Sequence, residues 1–401
     1  MSQRETNTLN FSIIQIVALA VAVFGVIIGL IGAASDSDHF YQVYMFAFLF
    51  WLQLALGCLA LLLLSNVFDA RWSFAIRRLA GAGARTLPLL ALLSIPLLVS
   101  QEEIFPWAAD GVELEDGKEI YLTQGFFALR TILYFAIWIA LAFTLTEWSY
   151  ANDDDPDERR TRRIKSLSIA GIILFFLSAT FAAFDWSLSL NYESFSSIYG
   201  WLAISQGALA AMAFIILMLA LFWNEEPLVR IASPRAVGDI GSLLLVAFLV
   251  WVYLSFIQYI VMWSGNIPDK VNWYVQRTTG DWEGFATVMV LFHFIPFLLL
   301  LVPGLKRMRG VLAAIAGLIL FLRVIEMYWT VMPVFSPDLE IEWWDISLIL
   351  GFGGFWFALF IWFATRKALV PNDPALDIVL AHPDRQRNTP AGTIVSQPAH
   401  K

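Results

Sequence analysis

Six polar or charged side chains fall inside long apolar stretches of the sequence, and they are the residues whose types could do chemistry. An ionisable group at bilayer depth costs at least about 2.5–3.5 kcal/mol on insertion scales, so each is a candidate functional residue. Buried carboxylates and an imidazole can also change protonation state and carry protons. The candidates for a proton path are Arg130, Asp185, Gln258, His293, Arg323 and Glu326.

The order of the apolar stretches predicts that five of these side chains gather in the outer half of the membrane. Arg323 and Glu326 are three residues apart, so they share one helical face and can pair. Arg130, Asp185 and Gln258 reach a comparable level on other helices. Three interpretations stay open: neutralised pairs that hold helices in register, a hydrated pocket or proton route open to the outside, and contacts to peripheral subunits.

His293 is expected near the middle of the membrane, with Pro296 one turn further on. Its imidazole could relay a proton between the two halves of the membrane. It could equally be a packed hydrogen-bond donor to a neighbouring helix. Gln53 and Gln206 lie in the middle of other apolar stretches and are interpreted as hydrogen-bonding links between helices.

The elements that must position these residues are membrane-spanning helices. The composition is 59% apolar and 15% aromatic, and the mean hydropathy is +0.70, which is outside the range of soluble proteins. A span needs about 20 apolar residues. The sequence predicts an all-α integral membrane protein of about ten spans, at 11–33, 41–65, 83–100, 124–147, 165–189, 198–222, 238–263, 284–303, 309–332 and 345–365.

The third span is the weakest, because Pro88 and Pro96 interrupt it. The stretch before it, Asn66 to Ala84, resembles a basic interfacial segment. The stretch Gly351 to Gly354 lies within the last span, so it is interpreted as a close helix contact and not as a phosphate site.

The distribution of Lys and Arg predicts the orientation. With a cytoplasmic N-terminus, the inner segments hold 20 of the 25 basic residues, and the outer segments hold only Lys118, Lys270 and Arg277. This asymmetry follows the positive-inside rule and places both termini in the cytoplasm. It also supports the number of spans, because a missed span would scramble the pattern.

Several chemistries are excluded by residue counts. Cys58 is the only cysteine, so no cysteine-ligated cluster or thiolate zinc site is possible within the chain. Of the four histidines, His293 alone is within a predicted span, which argues against a bis-histidine haem. We therefore expect no catalytic, cofactor-binding or metal-binding residues in this chain, and nothing in the sequence indicates nucleic-acid binding.

The connecting segments carry further expectations. The outer loop from Glu102 to Glu119 is acidic and could dock a basic partner, or it could simply be solvated. The loop after the seventh span contains Trp273 and Tyr274, and Trp282 follows, which suits an interfacial re-entrant or surface segment on the outer side. From Val370 onward the chain is polar and is expected to be extended unless a partner holds it.

Two groups of motifs resemble a known family of membrane subunits. The first comprises Gln258–Asp269, the Trp273–Tyr274 pair and His293–Phe297. The second comprises Phe184–Leu190 and Ser197–Gly200. Together they resemble the F subunit of alternative complex III, which belongs to the polysulfide-reductase or NrfD-like membrane subunits. The resemblance covers the chain from about the fifth to the eighth span, and Asp185, Gln258 and His293 lie within its motifs.

The resemblance implies two four-helix bundles with flanking helices. The corresponding divisions are 1–40 for the N-terminal end and first span, 41–190 and 198–332 for the two bundles, 345–365 for the last span, and 370–401 for a cytoplasmic tail. It implies a multi-pass subunit in a bacterial inner membrane. The subunit would belong to a respiratory or photosynthetic complex that oxidises menaquinol and reduces a cytochrome c or a blue copper protein.

The same resemblance implies the partners. Iron–sulfur clusters and c-type haem would reside in partner subunits on the outer face, and a sister NrfD-like C subunit would be the better candidate for the quinol site. The F subunit would help to move protons or complete the membrane scaffold among surrounding lipids, without being catalytic alone. The alternatives are a purely structural scaffold of the same complex and a secondary transporter. A transporter is less favoured because paired helix breaks at the midplane are not evident.

Overall fold

The computed structural model describes residues 11–109, 111–114, 117–223, 228, 234–265, 267–371 and 376. Within these ranges the chain is helical without β-strands, and ten helices are long and apolar enough to cross a membrane. The predicted all-α integral membrane fold is confirmed. The helices are α1 (Phe11–Ser35), α2 (Ser37–Val67), α3 (Arg71–Val99), α4 (Gln124–Asp154), α5 (Glu158–Trp186), α6 (Tyr199–Phe222), α7 (Pro234–Gly265), α8 (Asp281–Leu301), α9 (Arg309–Val331) and α10 (Asp345–Ala364).

Shorter elements connect these helices. The described helical turns are Gln101–Ile104, Pro106–Ala108, Lys118–Tyr121, Leu188–Asn191, Leu305–Arg307 and Met332–Val334, and an eleven-residue helix spans Pro268–Thr278. Acidic side chains cap two of the long helices: Asp36 accepts from the His39 amide at 3.0 Å, and Asp157 accepts from the Arg159 amide at 2.8 Å. These caps satisfy amides that have no partner within the helix.

The third span differs from its prediction at its N-terminal end. It begins at Arg71 and consists of three pieces, Arg71–Ala84, Leu87–Leu93 and Ile95–Val99. Each of the last two pieces has a proline in its first turn, where the missing amide hydrogen costs little. The prediction that Asn66 to Ala84 is an interfacial segment is wrong, because residues 73–84 are buried among other helices. Apolar and small residues there pack against α2, which outweighs the basic character of the stretch.

The helix pairings describe two four-helix groups joined at their centre. Helices α2 to α5 pack together, helices α6 to α9 pack together, and α2 crosses α6 between the groups. The crossing is close because glycines face each other: a Cβ on Gly207 would lie 2.7 Å from the carbonyl oxygen of Gln53, and one on Gly57 would overlap Gly207. This contact brings Gln53 and Gln206 side by side.

Helices α1 and α10 flank this core and pack mainly on each other. A Cβ on Gly25 would lie 2.5 Å from the carbonyl oxygen of Ser347, and one on Gly351 would lie 3.0 Å from the Val26 amide. The predicted close helix contact at Gly351 to Gly354 is confirmed. On its other face α1 exposes large apolar side chains such as Phe24, as a lipid-facing helix does.

Some expectations fall outside the described residues. These are the N-terminal end with Arg4, the acidic positions Asp110, Glu115 and Asp116, the basic residue Arg230, and the tail beyond residue 371 apart from residue 376.

Candidate functional site

The first buried polar group lies on α9. Arg323 and Glu326 are one turn apart, and the Nη2 atom of Arg323 forms an ion pair with the Oε2 atom of Glu326. Both residues are more than 90% buried. The predicted pairing is present, within the second helical bundle.

His293 on α8 supports Arg323 through its ring. Its Nε2 atom lies 2.9 Å from Arg323 Nη2, and its Nδ1 atom lies 2.7 Å from the carbonyl oxygen of Met289. A guanidinium only donates, so Nε2 accepts and the ring proton is on Nδ1, which donates to Met289. Both ring nitrogens are therefore engaged. His293 could relay a proton only after Arg323 had moved away from Nε2.

Glu326 is also the end point of a hydrogen-bond chain that crosses three helices. Its Oε1 atom accepts from Gln206 Nε2 at 2.9 Å and from Trp251 Nε1 at 3.2 Å. The Gln206 oxygen in turn accepts from Gln53 Nε2 at 3.1 Å. We call this group the central network; its members are Gln53, Gln206, Trp251, His293, Arg323 and Glu326.

The central network does not use all of its hydrogen-bonding capacity. Arg323 Nε and Nη1 are buried without a hydrogen-bond partner in the protein, and Glu326 Oε2 has no partner besides the ion pair with Arg323. The Trp251 ring lies 4.1 Å from the Arg323 guanidinium carbon and supplies a cation–π contact. Such unmatched buried groups are rare in native proteins and mark places where a solvent molecule, a ligand or a proton can act.

A cavity of about 60 Å³ adjoins the network between α2, α5, α6 and α9. Gln53 and Gln206 line it together with the polar side chains of Ser187, Tyr199 and Thr330; the rest of the wall is mostly apolar. A water molecule needs roughly 10–15 Å³ of such volume. The cavity therefore has room for a few water molecules beside Gln206, whose amide contacts Glu326.

The second buried polar group holds α4 to α5. Arg130 Nε lies 2.8 Å from Asp185 Oδ2, and Arg130 Nη2 lies 2.8 Å from Asp185 Oδ1. Tyr134 donates to Oδ2 at 2.8 Å, and Arg130 Nη1 donates to the carbonyl oxygen of Tyr121 at 2.7 Å. The Tyr121 and Phe126 rings cover the guanidinium. Every nitrogen of Arg130 and both oxygens of Asp185 are engaged, so this site is saturated.

Gln258 forms a third, separate group. It is buried on α7, and its Oε1 atom accepts from Ser196 Oγ at 2.5 Å. No hydrogen bond among the described residues joins the Arg130–Asp185 pair, Gln258 and the central network. The side chains that were expected at a comparable depth therefore form three separate groups. The physical reason is that α4 and α5 belong to one bundle, whereas α7 and α9 belong to the other and carry these residues on different faces.

The aromatic segment after α7 is a helix, Pro268–Thr278, with an inward aromatic face. Trp273 and Tyr274 are buried, unlike the side chains of a surface segment. Arg277 is 1% exposed and donates to the carbonyl oxygens of Trp273 at 2.8 Å and Thr330 at 2.6 Å. Burial lowers the pKa of the Arg277 guanidinium to about 9. Arg277 was expected in an outer loop, and nothing in its sequence context indicates that its side chain is buried.

Sequence reasoning also missed Trp251 and Tyr134. Both are aromatic residues within apolar spans, so their types predict packing and not hydrogen bonding to a carboxylate. A signal exists in retrospect: Tyr134 is four residues from Arg130, on the same face of α4.

Within the described ranges, no three His, Cys, Asp or Glu side chains are grouped as metal ligands would be. No protein-family model matches the chain, and no curated protein matches it either. Ideas about its function therefore depend on the motifs of the sequence and the geometry of the buried groups.

Proposed function

We propose that the chain is a non-haem membrane subunit of a quinol:electron-acceptor oxidoreductase of the alternative complex III type, and that it moves protons during quinol oxidation. The motifs around Asp185, Gln258 and His293 support the family, and the ten-helix fold agrees with it. The observation that carries the proton role is the central network: a buried carboxylate paired with an arginine whose Nε and Nη1 lack partners, linked through Gln206 to a cavity that can hold water.

In this proposal Glu326 is the residue that takes up and releases the proton. The cavity beside Gln53 and Gln206 is the route by which water reaches it. Arg323 stabilises the ionised carboxylate, and when Glu326 is protonated Arg323 keeps its contact with His293. Protonation then weakens the ion pair, but the Arg323 guanidinium still has His293 as a partner.

The proposal assigns the redox centres to other subunits. Iron–sulfur and c-type haem subunits would lie on the outer face and receive electrons from menaquinol, with a sister NrfD-like subunit nearby. The family resemblance implies a bacterial inner membrane, and the Lys and Arg distribution supports an orientation with both termini in the cytoplasm.

The assignment to a complex is tested by purification. A tagged copy of the chain is extracted in mild detergent and captured, the visible spectrum is recorded, and the accompanying subunits are identified. We expect c-type haem absorbance, iron–sulfur subunits and quinol-oxidising activity in the eluate. A colourless, solitary chain would contradict the respiratory role and favour the secondary transporter.

The proton role is tested with Glu326→Gln, which keeps the shape of the side chain and its contact with Trp251. In proteoliposomes that contain the whole complex, we expect quinol oxidation to persist while proton movement per electron falls. Glu158→Gln is the control, because Glu158 is exposed at the start of α5 and its replacement removes the same charge. Unchanged proton movement in the Glu326 variant would show that the network is structural.

A specific observation also favours the scaffold as a second candidate function. The Arg130–Asp185 pair is saturated and joins α4 to α5, as a structural clamp does. If Glu326→Gln has no effect on proton movement while loss of Asp185 releases the partner subunits, the chain is a scaffold of the complex.

A further inference from the structure

A second cavity opens at the other end of the helices, where the chain turns from α4 into α5. Its volume is about 470 Å³, and its walls are formed by Glu147, Tyr150, Ala151, Asp154, Arg366 and Lys367. That volume falls in the range of roughly 300–1,000 Å³ found for small-molecule sites. We call it the basic-end cavity, because it lies at the end that the Lys and Arg distribution assigns to the cytoplasm.

Two buried arginines of α3 lie behind the Tyr150 wall of this cavity. Their guanidinium carbons are 4.7 Å (Arg78) and 5.5 Å (Arg85) from the centre of the Tyr150 ring. Arg78 pairs with Asp153, and Arg85 pairs with Glu147 at 2.5 Å, each through Nη2. The Nε and Nη1 atoms of Arg85 are buried without a hydrogen-bond partner, against the rings of Phe143 and Phe363, and the Arg78 guanidinium contacts Tyr150. Buried guanidinium donors without acceptors favour the approach of an anion.

The charged wall residues balance, with Glu147 and Asp154 against Arg366 and Lys367, but the buried groups behind the wall add a positive charge. Four cations stand against three carboxylates: Arg78, Arg85, Arg366 and Lys367 against Glu147, Asp153 and Asp154. Asp154 lies 2.8 Å from Lys367 Nζ and raises the pKa of the ammonium group, so Lys367 stays protonated. The surplus of one positive charge matches a monoanionic phosphate diester.

The cavity is also placed at the depth of lipid headgroups. Helix α10 ends at Ala364, and just before this end Trp362 is 44% exposed. The Arg366 guanidinium lies 3.8 Å from the centre of the Trp362 ring. Exposed tryptophan with a neighbouring arginine is typical of the membrane–water boundary.

We propose that the basic-end cavity binds the phosphate headgroup of an anionic phospholipid, with Arg366 and Lys367 as its exposed contacts and Arg78 and Arg85 as the buried positive charge behind it. Basic pockets between membrane helices bind anionic headgroups in this way. The inference concerns a different end of the molecule from the central network and does not depend on the proposed function.

The test measures the thermal unfolding midpoint of the purified full-length chain in a non-ionic detergent. Dioleoylphosphatidylglycerol, dioleoylphosphatidylcholine or inorganic phosphate is titrated in. We expect a saturable rise with phosphatidylglycerol that is absent with the other two. In the double variant Arg366→Gln and Lys367→Gln, the apparent affinity should fall roughly 10- to 30-fold, because each basic residue near a lipid surface contributes about 1 kcal/mol.

Arg162→Gln is the matched control, since it removes an exposed positive charge at the same end of the helices and should leave the titration unchanged. If the double variant does not elute as a monodisperse species, Lys367→Gln alone takes its place, because that side chain is exposed and its loss disturbs no packing. An equal response to phosphatidylcholine would overturn the proposal. A similar rise with inorganic phosphate would identify a soluble anion and overturn the lipid assignment. An unaltered titration in the variant would place the lipid elsewhere.

Discussion

Replacing Asp185 by Asn removes the charge that neutralises Arg130 inside the first bundle. Asp185 is fully buried and Arg130 is 7% exposed, so solvent screening of the pair is small. Removal of one partner of a buried ion pair costs about 3–5 kcal/mol, chiefly because the other charge stays buried. Asparagine keeps one hydrogen-bond acceptor for Arg130 or Tyr134, so we expect the free energy of unfolding to fall by about 3 kcal/mol, at the low end of that range.

The measurement is an equilibrium unfolding titration with sodium dodecyl sulfate in mixed micelles. Glu158→Gln is the control, because Glu158 forms an exposed pair with Arg162 at 3.2 Å and exposed pairs contribute roughly 0–1 kcal/mol. Arg130→Met combined with Asp185→Leu should recover more than half of the loss, since an apolar pair of similar volume can replace a buried ion pair. A loss below about 1 kcal/mol in the Asn variant would refute the structural role and restore Asp185 as a candidate proton carrier.

Two further predictions concern packing and the central network. Gly25→Leu should separate α1 from α10 and lower the thermal unfolding midpoint strongly, because even a Cβ at this position would lie 2.5 Å from the Ser347 carbonyl oxygen. Gly284→Leu is the control: a Cβ there would meet nothing within 4 Å, so this variant should have little effect on the midpoint. Trp251→Phe removes one hydrogen-bond donor from Glu326 and should lower the free energy of unfolding by about 1–3 kcal/mol in the detergent titration. A decrease under about 0.5 kcal/mol would show that the 3.2 Å hydrogen bond is not formed in solution.

The spans could be predicted from the sequence because the signal for a membrane helix is long and strong. Runs of about 20 apolar residues are typical of membrane-spanning helices, and the basic residues between them mark the same boundaries independently. The third span shows the limit of this reasoning. Its first half carries Arg77, Arg78 and Arg85 and is interfacial by composition, yet these arginines are buried because carboxylates, carbonyl oxygens and aromatic rings of neighbouring helices surround them.

The site was only partly predictable for a related reason. Sequence spacing determines which residues share a helical face, so the pairing of Arg323 with Glu326 follows from their separation of three residues. Depth along a helix is a weaker guide, because two residues at one level can point into different bundles. Arg130, Gln258 and Arg323 were expected at a comparable depth, and the structure places each of them in a different hydrogen-bonded group.

The Arg130–Asp185 and Arg323–Glu326 pairs differ in how completely their hydrogen-bonding groups are satisfied, and the proposal assigns the first a structural role and the second a proton-carrying role on that ground. In the Arg130–Asp185 pair, a proton on Oδ1 would displace Arg130, and a proton on Oδ2 would displace Arg130 or Tyr134, so at least one of the three hydrogen bonds to the carboxylate would be lost. At Glu326 the Oε2 atom contacts only Arg323, and the Oε1 atom accepts from the neutral donors Gln206 and Trp251. A cavity adjoins Gln206. Protonation at Oε2 leaves the Gln206 and Trp251 contacts in place. Protonation therefore costs an existing contact at either carboxylate, and what distinguishes Glu326 in the proposed proton role is the cavity beside Gln206.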